Sequence, residues 1–283
     1  MSISLSDYTK KKDFLVCVDS DGCAMDTMDI KHFLCFGPCM VNEWELHENK
    51  DVILKRWNEI NLYTMTRGIN RFKGLALALQ EINQNFKQIE DLETLIAWTE
   101  NSKELSNDAL VSAINNNPNS ISLRKALSWS KAVNASINQL PENAKLPFEK
   151  AKEALKYAHQ YADVAIVSSA NLDAVLEEWE KHGLLCHTDI VLAQNAGSKA
   201  FCIQELLKKG YNPNNVVMCG DAPGDLDAAK KNNVFYYPIL VKKEKESWEE
   251  FISTALTKLL NNTYTGSYQG EKINAFLNNL GGK

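Results

Sequence analysis

The 283-residue sequence has no apolar run approaching the roughly 20 residues that a membrane helix needs. Its first residues, MSISLSDYTKKKD, lack the apolar core of a signal peptide, so a cytoplasmic protein is expected. It also lacks a basic excess. With 31 Lys and Arg against 36 Asp and Glu, the net charge is -5, which gives no electrostatic reason to expect a nucleic-acid or anionic-membrane partner. Common zinc-ligand spacings are missing from the seven cysteines. Cys17, Cys23, Cys186, Cys202 and Cys219 lie in apolar or strand-like contexts, where a free thiol behaves as a small hydrophobe. Cys35 and Cys39, with His32 just before them, match no such pattern either.

At 45% hydrophobic and 24% charged residues, the chain has enough apolar material for one large domain or two smaller ones. Its most informative stretch is FLVCVDSDGC, from Phe14 to Cys23. The apolar run Phe14 to Val18 suits a strand buried on both faces, and it stops at Asp19, Asp21 and Gly22. In open α/β sheets ligands bind at the carboxyl ends of strands, so paired acids there carry more weight than the same pair in a loop. Asp and Gly are also ordinary turn residues, and the stretch alone leaves a solvated turn open.

After Gly22 the residues CAMDTMDIKHFLCFGPCMV show no clear period and read as an ordered connector. From about Glu45 to Ala162 apolar residues recur at three- and four-residue steps, as in RFKGLALALQEINQNF and PFEKAKEALKYAHQYA, which predicts helices and no strand. Strands resume with DVAIV, then TDIVLA, NNVVMCG and VFYYPI, separated by helical segments capped by Asn171 and Ser198 and closed by Gly183 and Gly210. Such alternation means right-handed crossovers and a parallel sheet. The expected fold is α/β, a Rossmann-like parallel sheet core formed by residues 1–26 and 162–283, with an all-helical cap inserted over 27–161.

Four motifs then coincide: DSDG at Asp19 to Gly22, Ser168 at a strand end, Lys199 at a helix start, and GDAPGD from Gly220 to Asp225. In this order they resemble the haloacid dehalogenase-like hydrolases. The match departs from the family at Cys23 and Ala24, where threonine and leucine are usual, and Lys199 has no following proline. The resemblance implies that Asp19 is a nucleophile and Asp21 a general acid and base, with Ser168 and Lys199 completing the catalytic set. It favours phosphate chemistry over dehalogenation, because the family's dehalogenases lack a carboxylate at the place of Asp21.

The acids carry a separate argument. Asp19, Asp21, Asp221 and Asp225 all fall at strand ends or one turn beyond, and converging carboxylates are costly unless a cation neutralises them. An all-oxygen set suits Mg²⁺. The resemblance makes Asp221 a metal ligand together with an Asp19 oxygen and the Asp21 carbonyl, and Asp225 a holder of a metal-bound water or of Lys199. Gly22 and Ser169 lie beside these motifs as candidate substrate-binding residues, and Arg67 and Arg71, in the interruption TMTRGINRFKG, suit an anionic substrate as well as a solvated loop. Asp227 reads as a surface residue, and Trp44, Trp57, Trp98 and Trp129 as packing of the inserted block. The expected activity is Mg²⁺-dependent hydrolysis of a small phosphorylated metabolite through an aspartyl-phosphate. The alternatives are a phosphomutase on a sugar phosphate and a non-catalytic binding protein.

Overall fold

The apolar run ending at Asp19 becomes the middle strand of a five-stranded sheet in the computed structural model, which describes residues 4–281. The strands are β1 (Phe14–Val18), β2 (Met25–Asp26), β3 (Leu146–Pro147), β4 (Ala162–Val167), β5 (Ile190–Leu192), β6 (Val216–Gly220) and β7 (Phe235–Pro238). The large sheet has the order β5-β4-β1-β6-β7, with every neighbouring pair parallel. All six residues of β4 and all five of β6 are buried, as expected of parallel strands covered on both faces. From β1 the chain builds outward through β4 and β5, then returns to the other side of β1 for β6 and β7. The strand order therefore reverses between β1 and β6, and crevices for ligands form at such reversals.

The chain divides into two compact units, Met1–Met28 with Glu142–Lys283, and Asp29–Pro141. The α/β class with an inserted helical block stands, but the block is shorter than its periodicity suggests. Helix Ala151–Tyr161 buries Ala151, Ala154, Leu155 and Ala158 in the core that covers the large sheet, with Val16, Val164 and Trp179. A 3.6-residue period shows that a helix has an apolar face, not which core receives it. The expectation of no strand between Glu45 and Ala162 is also corrected, since β3 pairs antiparallel with β2. Two residues stabilised by their partner leave no alternation to read.

The connector after Gly22 is regular structure in disguise. It contains β2, helix Met28–Lys31, a π-helical turn at His32–Phe36 and helix Gly37–Glu43. The wider turn shifts the phase of the pattern, which hides a 3.6-residue repeat. His32 accepts a hydrogen bond at Nδ1 from the Trp57 indole, 3.1 Å away, and Cys35 is buried.

The second unit is helical throughout. Trp44, Trp57 and Trp129 are buried in its core, and Trp98 packs edge-on against Phe72, with ring centroids 5.1 Å apart. Asp91, in the left-handed region at φ 57°, precedes helix Leu92–Asn101. Its carboxylate accepts from Thr94 Oγ1, from Ser120 Oγ and from the Ser122 amide at 3.3 Å and hydroxyl at 3.1 Å. Ser120 is itself the N-cap of helix Ile121–Asn138, so one carboxylate serves two helix N-termini, where negative charge is favoured. Among the described residues no helix is long and apolar enough to cross a membrane.

Burial opposes ionisation of Asp91, but its bonds from Ser120, Thr94 and Ser122 outweigh that and hold the carboxyl below its ordinary value. A depressed folded-state value means stability that is present above the unfolded value and lost as pH falls through the folded one. Asp91→Ala is therefore expected to lower unfolding free energy by about 1–2 kcal/mol at neutral pH. The deficit relative to wild type should shrink below about pH 4; urea titrations at pH 7 and pH 3.5 would measure both, and an equal deficit at the two pH values would refute the ionic contribution.

Candidate active site

Asp19 and Asp221 follow directly on β1 and β6, the two strands that flank the reversal. The ladder carries one bond past β1, from the Asp19 amide to the Cys219 carbonyl at 3.0 Å, so the backbone of Asp19 is held by the sheet. Helix Pro223–Lys231 then places Asp225 in its first turn. Asp19, Asp221 and Asp225 are all buried, and one carboxylate oxygen from each lies within 4.8 Å of the others. Among the described residues this is the one group of three potential metal-ligating side chains, and it does not include the Asp21 carboxylate.

Lys199 enters from the first turn of helix Lys199–Leu207, behind the N-cap Ser198. Its Nζ lies 2.6 Å from Asp19 Oδ2 and 2.5 Å from Asp225 Oδ1. The other Asp225 oxygen accepts from the amides of Asp221, at 3.2 Å, and Ala222, at 3.0 Å. Asp19 Oδ1 accepts from the Ser20 amide at 2.7 Å. Burial pushes the Asp19 carboxyl up to about 6, against the pull of Lys199 and with the push of Asp225. Burial likewise raises Asp225, opposed by Lys199 and reinforced by Asp221. Burial would discharge Lys199, but Asp19 and Asp225 outweigh it and hold the ammonium above its ordinary value. With all three carboxylates ionised and Lys199 charged, the group would carry two negative charges. A hard divalent cation among oxygen donors fits that excess.

Gly22 adopts φ 81°, a conformation that suits glycine, and its amide donates to the Met25 carbonyl at 2.9 Å. This closes the turn that leaves Asp21 half-buried, with its Oδ1 accepting from Thr27 Oγ1 at 2.6 Å. Ser168 follows directly on β4, is buried, and donates its amide to the Leu192 carbonyl at 2.9 Å. Its hydroxyl accepts from the Ala170 amide at 3.2 Å, which leaves the hydroxyl hydrogen able to donate. Ser169 is exposed, as is Asp227. Arg67 and Arg71 belong to the second unit. Arg67 is buried and donates to the Leu62 carbonyl at 2.7 Å, while Arg71 donates to Asn134 Oδ1 at 2.7 Å and Ser130 Oγ at 3.1 Å and lies over the Phe36 ring.

Several supporting residues escaped the sequence reading. Thr27 lies six positions after Asp21, in the apparently irregular connector. The buried Trp179 and Trp248 donate their indole N–H groups to Ser20 Oγ, at 2.8 Å, and to the Cys23 carbonyl, at 3.1 Å. Tyr236 donates to the Gly220 carbonyl at 3.0 Å. These tryptophans and Tyr236 look in sequence like any other core aromatics. Gly220 carried a signal that was read only as part of a motif: a Cβ there would sit 2.3 Å from the Asp225 carboxyl carbon.

Residues 97–238 match the family model described as haloacid dehalogenase-like hydrolase. That span holds Ser168, Lys199, Asp221 and Asp225, whereas Asp19 and Asp21 precede it. Among solved structures, a provisionally named phosphoglycolate phosphatase from Lactobacillus delbrueckii subsp. bulgaricus is 14% identical, with a TM-score of 0.52 over 81% of this chain and 86% of its own. A provisionally named beta-phosphoglucomutase from Thermotoga maritima is 16% identical, with a TM-score of 0.45 over 88% of this chain and 97% of its own. At these identities the likeness is of fold alone, and the Thermotoga protein's is too slight to add to it. No curated protein sequence matches the chain.

Gly220→Ala is expected to displace the Asp225 carboxylate and unseat Lys199, at a cost of about 1–3 kcal/mol in stability; a melting temperature equal to wild type would show that the approach is not tight. Thr27→Val, which removes the donor to Asp21 at nearly constant volume, should lower turnover roughly tenfold while leaving the melting temperature within a few degrees. Unchanged steady-state kinetics would show that the hydroxyl does not orient Asp21.

Proposed function

The chain belongs to the haloacid dehalogenase-like hydrolases, and on that premise we propose that it is a cytoplasmic, Mg²⁺-dependent phosphatase of small phosphorylated metabolites. The observation that carries the reading is the buried trio of Asp19, Asp221 and Asp225 with Lys199 between two of them. Asp19 and Asp221, with the Asp21 carbonyl, would hold Mg²⁺; Asp225, whose oxygens already meet Lys199 and two amides, serves chiefly to place that lysine. The bound cation would supply charge neutralisation for the carboxylates and the substrate phosphate.

A carboxylate oxygen of Asp19 attacks the phosphorus, and the bond from phosphorus to the ester oxygen breaks. Asp21 gives its proton to that oxygen as it leaves. It then takes a proton from water, whose oxygen attacks the aspartyl-phosphate to release inorganic phosphate and restore Asp19. Charge on the transferring group is met by the Lys199 ammonium, the Ser168 hydroxyl and neighbouring backbone amides, in a step that depends mainly on positioning and electrostatics. Gly22 lets the backbone approach the phosphate closely, and the exposed Ser169 adds a hydroxyl. Arg67 and Arg71 are engaged within the helical unit, Arg67 with the Leu62 carbonyl and Arg71 in joining helices Arg71–Asn85 and Ile121–Asn138 through Ser130 and Asn134.

Phosphate release from a panel of phosphomonoesters, with and without Mg²⁺, tests the reading. Metal-dependent turnover in the wild type should fall by at least about a thousandfold in Asp19→Asn, which keeps the shape and removes the nucleophile. Turnover that survives Asp19→Asn would reject Asp19 as nucleophile. Turnover that requires a bisphosphate activator would instead identify a mutase.

A further inference from the structure

Ser20 stands between the two aspartates proposed as nucleophile and acid-base group, and it is fully buried. An apolar side chain would be the ordinary occupant of such a position, because a buried hydroxyl needs a partner. Its partner is the Trp179 indole, 2.8 Å from Ser20 Oγ and likewise fully buried. Neither group can turn to water if the bond breaks, so each fixes the other. The backbone of Ser20 is equally committed. Its amide donates to Asp19 Oδ1 at 2.7 Å, and its carbonyl accepts from the amides of Cys23, Ala24 and Met25 at 3.2, 3.0 and 2.9 Å. A displacement of Ser20 would thus be passed to the Asp19 carboxylate and to the turn that carries Asp21.

Trp179 belongs to helix Leu172–Lys181, whose N-terminus follows Ser168 by only a few residues. One helix therefore continues from the strand end bearing Ser168 and, about two turns later, grips the peptide between Asp19 and Asp21. We propose that Trp179, through Ser20, is a positioning residue that sets the nucleophile loop relative to the Ser168 side of the site. The inference rests on the phosphatase reading for its catalytic consequence, although the tie itself is a feature of the fold.

The test is a cycle of Trp179→Phe, Ser20→Ala and the double variant, read by steady-state kinetics on the best phosphomonoester, by melting temperature, and by amide exchange at Cys23, Ala24 and Met25. Misplacement of a reacting group costs up to about a hundredfold in rate. Trp179→Phe is therefore expected to lower kcat about tenfold with KM changed less than about twofold, and to speed exchange at the three amides. The double variant should be no slower than the slower single, because both remove one interaction. Full kcat in a folded Trp179→Phe, or single effects that multiply in the double, would overturn the inference, whatever the melting temperature does. Should Trp179→Phe fail to fold, Ser20→Ala, which removes one oxygen, carries the same kinetic and exchange criteria. A wild type that hydrolyses no phosphomonoester would reject the phosphatase reading instead. Exchange then decides the tie: faster exchange in the variant supports it, and unchanged exchange removes it.

Discussion

Asp19, Asp221 and Asp225 bring like charge into a buried space at the ends of adjacent parallel strands, and this is the constraint on which the rest of the sheet unit depends. Burial disfavours every ionised carboxylate there, and each disfavours its neighbours. Lys199 relieves part of the repulsion, and the amides of Ser20, Asp221 and Ala222 relieve more. An arrangement that is unfavourable for folding alone is suited to a cation, and perturbed buried charges of that kind cluster at functional sites.

At the opposite end of the sheet, another buried carboxylate meets its hydrogen-bond donors through one oxygen only. Asp163, at the start of β4, is fully buried, and its Oδ2 accepts from the Lys11 and Lys12 amides at 2.8 and 3.0 Å and from the Tyr211 hydroxyl at 2.5 Å. These donors tie the segment before β1 to the sheet. At the carboxyl ends the supporting donors address the backbone instead: Trp248 bonds the Cys23 carbonyl and Tyr236 the Gly220 carbonyl. The loops are thereby held by aromatic side chains rooted in the core, while Lys199 and the amides of Ser20, Asp221 and Ala222 meet the Asp19 and Asp225 carboxylates. Precision on rigid elements is what a reaction governed by positioning requires.

The helical unit solves a different problem. It has no sheet to cover, so it buries Trp57, Trp129 and Phe72 edge-on against one another, with Trp57 and Trp129 centroids 6.0 Å apart. Two of its bends are π-helical turns, at His32–Phe36 and Glu59–Tyr63, and the second runs into the loop that carries Arg67. The Trp129 indole donates to the Phe36 carbonyl at the end of the first turn, 3.1 Å away. Irregular backbone is thus satisfied by core side chains here as well.

Much of the fold was legible in the residues. Apolar runs ending in Asp, Ser or Gly located β1, β4 and β6, and alternation with capped helices implied parallel strands, because strand period, caps and crossovers are local properties. The same locality made Asp19, Asp21, Ser168, Lys199, Asp221 and Asp225 candidates. What the chain order could not reveal depends on pairing and packing between distant residues. The π-helical turns concealed the connector's helices, β2 and β3 exist only as a pair, and helix Ala151–Tyr161 joins the sheet through an apolar face that either core could have received. Tertiary structure alone decided that Asp225 lies against Gly220, that Thr27 faces Asp21, and that Trp179, 159 positions from Ser20, bonds its hydroxyl; of the two roles implied for Asp225, it selected contact with Lys199. A tryptophan in an apolar helix face carries no mark of the partner its N–H will find, because that partner is set by the packing of the whole sheet unit.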